Sequence, residues 1–134
     1  MKVLFVCFGN AHRSPLAEAL LKKLRPDWDV QSAGVHTAIP ISEGVRKFLL
    51  DEGAEQYLKE APEDLSGKQL DTFDLIVAME QRHKSAVLSR CPECADRTIV
   101  WSISEPYFMP TDDASKVYGQ IKDRVKELAS AAQP

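Results

Sequence analysis

The chain has 134 residues, 44% of them hydrophobic and 28% charged, with a formal net charge of −3. That size suits one soluble globular domain that buries its core without disulfide staples. Acidic and basic residues are mixed along the chain, which leaves no basic face or arm for nucleic acid.

The opening Met1-Lys2-Val3-Leu4-Phe5-Val6 is too short for a signal-peptide core or a bilayer span. The expected organisation is a single domain over residues 1–134, with no nucleic-acid or membrane partner. Three cysteines, an odd number, leave at least one thiol free or paired outside the chain, which fits a cytoplasmic location.

Lys2 to Val6 is a short apolar run with two valines and reads as a buried strand. Ser14-Pro15 looks like a helix start, with proline tolerated in the first turn. Leu16, Leu20 and Leu24, beside Ala17 and Leu21, give that helix one apolar face. Trp28 to Ser32 reads as a second strand, ended by Gly34. Ser42 is placed to cap a helix whose Val45, Phe48 and Leu49 form the buried stripe. Residues 53 to 70 are weakly patterned and read as loops around one short helix.

Asp74 to Met79 is a third strand, followed by a helix through about Leu88. Thr98 to Trp101 is a fourth strand. A loop with Pro106 and Pro110 leads to a closing helix with Val117, Ile121, Val125 and Leu128 on one face. Strands separated by helices argue for an α/β fold, a parallel sheet with helices on both faces. In such sheets ligands bind beyond the carboxyl ends of the strands. The residue directly after the first apolar run is Cys7.

Residues 7 to 14 read Cys-Phe-Gly-Asn-Ala-His-Arg-Ser. A loop between a strand and a helix N-terminus turns backbone N–H groups inward, and the helix dipole adds positive potential, so it can cradle a phosphate. Gly9 and Asn10 are residue types that tolerate the positive φ of a tight wrap. Phe8, Ala11 and His12 complete the loop, with small Ala11 on the pocket floor or wall. Such a cradle favours the thiolate of Cys7, the form that attacks. Arg13 can grip two phosphate oxygens with its planar fork. Ser14, at the helix cap, can donate a hydrogen bond to the thiolate. A cysteine six positions before an arginine occurs by chance; the strand before it, the Gly-Asn inside and the Ser-Pro helix start after it make it a phosphate-chemistry signal.

The segment VCFGNAHRSPLAEALL resembles the signature of the low-molecular-weight protein tyrosine phosphatases. Ser32-Ala33-Gly34, the FDLIVAM strand and Glu105-Pro106-Tyr107 extend the likeness across nearly the whole chain. The resemblance implies a four-stranded parallel sheet of order 2-1-3-4, a phosphocysteine intermediate and no cofactor or metal. It further implies that Glu105 protonates the leaving group and then activates water. Asn10, Ser14 and Ser32 would fix the loop shape, and Tyr107, with Phe108 and Phe8, would wall the entrance.

Four departures stand out. His12 occupies a place where the family often has a second cysteine, so Cys7 has no disulfide partner within the loop. Glu105, one methylene longer, replaces the usual aspartate. Leu58-Lys59-Glu60-Ala61 lacks the histidine that often precedes the third strand. Met79-Glu80 stands for Met-Asp. His12 is read as lying on the back of the loop, bonded to backbone, with a charge beside the phosphate as the alternative. His36 and His83 read as surface or packing residues. Cys91-Pro92-Glu93-Cys94 offers two zinc ligands where a structural site needs four, so a disulfide or two free thiols is expected. Asp112 and Asp113 open the last helix, where negative charge is favourable, and are reserve acids.

The function expected is cysteine-dependent hydrolysis of phosphomonoesters by a cytoplasmic monomer. Its substrate is a phosphorylated protein or a small phosphomonoester, with phosphotyrosine favoured. A thiol-coupled arsenate reductase is the runner-up, since that group shares fold and loop and Cys91 and Cys94 supply two further thiols. The acidic-Pro-Tyr loop belongs to the phosphatase pattern instead. Phosphoarginine is a further alternative, although relatives acting on it often carry threonine where this chain has Ala11. A non-catalytic phosphate-binding module is opposed by the intact Cys7, Arg13 and Ser14.

Overall fold

An apolar residue at every position from Val3 to Val6 is the mark of a strand covered on both faces. In the computed structural model, which describes residues 1–131, that segment is β1 (Lys2–Cys7) of a four-stranded parallel sheet. β2 (Asp29–Gly34), β3 (Leu75–Ala78) and β4 (Thr98–Val100) complete it in the order β2-β1-β3-β4, as the resemblance implies. Four helices alternate with the strands: α1 (Arg13–Leu24), α2 (Glu43–Asp51), α3 (Gln81–Arg90) and α4 (Thr111–Ala131). Cys7 pairs with Gly34 and Val6 with Ala78, so the strands end level at one edge. The chain leaves β1 for β2 on one side and returns to β3 on the other. The strand order therefore reverses at β1, where an open α/β sheet forms its ligand crevice.

Alternation along β1 feeds two cores. Val3, Phe5 and Cys7 point into the cluster with Leu16, Ile121 and Val125 of α1 and α4. Leu4 and Val6 pack with Leu70, Phe73 and Val87 on the α3 side. Cys7 thereby faces the start of α1.

Local departures from the sequence reading have physical causes. Trp28 lies outside β2, beneath the Arg25 guanidinium at 4.1 Å, and the strand instead runs on to Gly34 because β1 pairs with it through Cys7. Ser42 caps α2, accepting from the Gly44 N–H at 3.1 Å. α1 begins at Arg13 with His12 as its N-cap, so Ser14 is not the cap and its hydroxyl serves Cys7 instead. Residues 53–70 hold short 3-10 turns, Glu55–Tyr57 and Leu65–Gly67 among them, pinned by buried Ala54 and Leu65.

Cys91 and Cys94 form a disulfide at the entry to a 3-10 turn, Pro92–Arg97. α3 carries the chain about 15 Å back from the carboxyl end of β3, so this disulfide sits near Leu70, at the amino edge of the sheet and away from Cys7. Among the described residues, no helix is long and apolar enough to cross a membrane.

Candidate active site

The loop after β1 closes around the Cys7 sulfur. Among the described residues Cys7 is the free cysteine, and Asn10, Arg13 and Ser14 around it are fully buried. Asn10 takes φ of +53°, a conformation its short amide side chain tolerates. Gly9 does not share it, contrary to the sequence reading; Asn10 alone makes the turn. The turn aims the Asn10 backbone N–H at Cys7 Sγ, 3.3 Å away.

A directed set of hydrogen bonds supports this loop. Asn10 Nδ2 donates to Ser14 Oγ at 2.8 Å and to Ser32 Oγ at 2.9 Å. Ser14 Oγ, which accepts from Asn10, lies 2.9 Å from Cys7 Sγ, and toward a thiolate the Ser14 hydroxyl is the donor of this bond. Ser32 hands its proton to Glu18, which is buried on α1 one turn after Ser14. On its other side Asn10 Oδ1 accepts from Lys59 Nζ at 2.8 Å and from the Glu63 N–H at 2.9 Å. Asn10, Ser14 and Ser32 thus meet as expected, and Lys59 reaches the network from the segment that lacks the histidine.

Arg13 is buried but its guanidinium is not spent. Nη1 donates to Glu80 and to the Ile103 carbonyl at 2.7 Å, which fixes the plane of the fork. Nε has no hydrogen-bond partner within the protein, and Nη2 donates to Glu105 Oε2 at 3.0 Å. A buried donor without a partner is costly, and a phosphate oxygen at this edge would satisfy it.

Glu105 Oε1 also accepts from the Tyr107 N–H at 3.1 Å and lies 3.7 Å from His12 Nδ1. His12 therefore faces the site, edge-on to Tyr107 at 5.7 Å, and not the back of the loop. Burial lowers its pKa, with Glu105 opposing and Arg13 assisting.

Above the loop opens a cavity of about 310 Å³ with Cys7 and Ala11 at its base. Phe8 and His36 stack on one side at 5.8 Å, and Tyr107 and Phe108 meet edge-on at 4.6 Å on the other. His36 is thus a rim residue. His83 is buried below Glu80, and burial, then Arg13, push its pKa down to about 4. Asp112 and Asp113 stand exposed at the start of α4 and do not line this cavity.

A family model described as low molecular weight phosphotyrosine protein phosphatase matches residues 2–133. The chain belongs to this family. It is 32% identical to the low molecular weight protein-tyrosine-phosphatase Etp of Escherichia coli K12, covering 95% of this chain and 91% of that one. It is 31% identical to the protein-arginine-phosphatase of Geobacillus stearothermophilus, over 95% and 90% of the two chains. The crystal structure of the Erwinia amylovora tyrosine phosphatase AmsI superposes with a TM-score of 0.90 at 25% identity, covering 99% and 93%.

The protein is accordingly a hydrolase, a cysteine-dependent phosphatase. Two supporting residues of this phosphatase escaped the sequence reading. Glu18 carried a signal, an acid flanked by Leu16, Ala17, Ala19 and Leu20 and four positions from Ser14, hence on the same helix face. Lys59 carried none, because only the folded path of residues 53–70 brings it to Asn10.

Proposed function

We propose that this phosphatase hydrolyses aryl phosphomonoesters, with protein phosphotyrosine as the substrate class, and that Cys7 is its nucleophile. The observation that carries the reading is an aromatic-walled cavity lined by buried Cys7 and by Glu105, with Glu105 bonded to Nη2 of the buried Arg13, whose Nε has no partner in the protein. Phosphate oxygens bind the loop N–H groups and the Nε and Nη2 edge of Arg13. Cys7 Sγ attacks phosphorus, the S–P bond forms and the ester P–O bond breaks. Glu105, displaced from Arg13 by the phosphate, gives its proton to the leaving oxygen. Water then attacks the phosphocysteine while Glu105 takes its proton, and the S–P bond breaks to release phosphate. Ser14 supports the thiolate at both stages. Phe8, Tyr107 and Phe108 hold the aryl ring.

The same reading takes residues 1–134 as one catalytic domain, working as a cytoplasmic monomer without cofactor or nucleic acid. The disulfide at the far edge of the sheet supports hydrolysis over thiol-coupled arsenate reduction, because it offers Cys7 no nearby resolving thiol. Likeness to an arginine phosphatase favours phosphoarginine as a second substrate reading. Phosphate release from phosphotyrosine, phosphoserine and phosphoarginine peptides, run beside arsenate reduction, tests it. Preference for phosphotyrosine is expected; preference for phosphoarginine, or turnover of arsenate alone, overturns the assignment.

A further inference from the structure

Lys59 is a lysine with only 8% of its side chain exposed. Burying a cation is costly unless it is paired and hydrogen-bonded. Its three protons are matched by Asn10 Oδ1 at 2.8 Å, the Ser32 carbonyl at 2.9 Å and Glu63 Oε2 at 2.6 Å. Glu18 Oε1 adds a second carboxylate at 3.9 Å. Such a complete shell marks a position where the cation does more than cover surface.

We propose that Lys59 is a positioning residue for phosphoryl transfer, fixing the Asn10 amide so that the Ser14 proton is delivered to Cys7. A side-chain amide can turn over and exchange its oxygen for its nitrogen. Lys59 Nζ and the Glu63 N–H are both donors, so only the Asn10 oxygen fits between them. That choice puts Nδ2 toward Ser14 and Ser32. Ser14 Oγ is then an acceptor from Asn10, and its single proton has Cys7 Sγ as its partner. Without the ammonium, one donor of the pair is gone, the amide orientation loosens and the Ser14 proton is free to turn away. The thiolate then loses a hydrogen bond both as nucleophile and as leaving group. This role rests on Cys7 being the nucleophile.

The test is a double-mutant cycle on p-nitrophenyl phosphate with Lys59→Met, Ser14→Ala and the double variant, each checked for folding by thermal melt. Loss of a hydrogen bond to a charged group corresponds to about 10- to 100-fold in rate, and Lys59→Met should lose kcat in that range. KM should stay within about three-fold, since Arg13 and the loop N–H groups are untouched. The double variant should match Ser14→Ala within about two-fold, because both act through the same proton.

Unchanged kcat in folded Lys59→Met overturns the proposal, as do losses that multiply in the double variant or a rise in KM alone. Lys59→Leu, which likewise leaves neither cation nor donor beside Asn10, goes through the same cycle if the methionine variant does not fold. Cys7→Ser measured alongside separates the two levels. Turnover by Cys7→Ser removes the nucleophile reading, whereas an inert Cys7→Ser beside an indifferent Lys59→Met removes only the role of Lys59.

Discussion

A methyl group at Gly34 is expected to disable the site without touching any reacting group. A Cβ built there would lie 2.8 Å from the Asn10 nitrogen, 2.8 Å from the Gly9 carbonyl carbon and 2.9 Å from the Phe8 oxygen. All three are backbone atoms of the phosphate loop, so no side chain can swing aside. Reaching an ordinary contact of 3.4 Å requires about 0.6 Å of movement between the end of β2 and the loop. The two cannot separate freely, because the Val35 N–H is bonded to the Cys7 carbonyl at 3.1 Å and the His36 N–H to the Phe8 carbonyl at 2.8 Å.

The loop therefore moves, and with it the Asn10 N–H and the Arg13 edge. A misplacement near 1 Å costs about 10²-fold in rate, so Gly34→Ala should lower kcat/KM on p-nitrophenyl phosphate by about 10- to 100-fold. Overpacking of this kind costs about 1–3 kcal/mol, visible as a fall of several degrees in Tm. Gly67→Ala, where an added Cβ meets nothing within 4 Å, is the control and should keep its kinetics. Wild-type kcat/KM in folded Gly34→Ala would show that the loop geometry is not what the chemistry depends on.

Other outcomes follow from the same contacts. Glu105→Gln should slow phenyl phosphate far more than p-nitrophenyl phosphate, within the range of about 10²–10⁴-fold for a lost general acid, while Asp112→Asn and Asp113→Asn show no such discrimination; the reversed pattern would reassign the acid. Replacing Cys91 and Cys94 together by alanine should leave phosphate release within a few-fold under reducing conditions, measured beside a thermal melt. His83 is held neutral by burial with its pKa near 4, below the ordinary 6.5, so the unfolded chain takes up the proton first as pH falls. Its contribution is whole above about pH 6.5 and is lost toward pH 4, about 2 kcal/mol of it between pH 7 and pH 5. Urea melts of the wild type and His83→Gln should therefore converge on acidification; a constant gap would place the proton elsewhere.

The sequence carried the sheet because parallel strands buried on both faces are written as continuous apolar runs, and Val3 to Val6 and Leu75 to Ala78 are such runs. The phosphate loop was equally legible, since its chemistry is packed into residues 7 to 14. What stayed hidden depends on contacts distant in sequence. Lys59 meets Asn10 across 49 positions, and Glu105 meets Arg13 across 92. The inward turn of His12 follows from Tyr107 and Glu105 closing over it, which no local pattern announces. Gly9 and Asn10 were equal candidates for the left-handed turn. Asn10 takes it because its amide is then held by four polar partners.

The claim on which the rest depends is that phosphorus becomes bonded to Cys7. Rapid acid quench of the enzyme during turnover of p-nitrophenyl phosphate, followed by peptide mass spectrometry, reads this directly. The account predicts a phosphoryl adduct on the peptide containing Cys7, formed and consumed at rates compatible with turnover and missing from Cys7→Ser, which should be inert. An adduct on another residue, or turnover by Cys7→Ser, would contradict it.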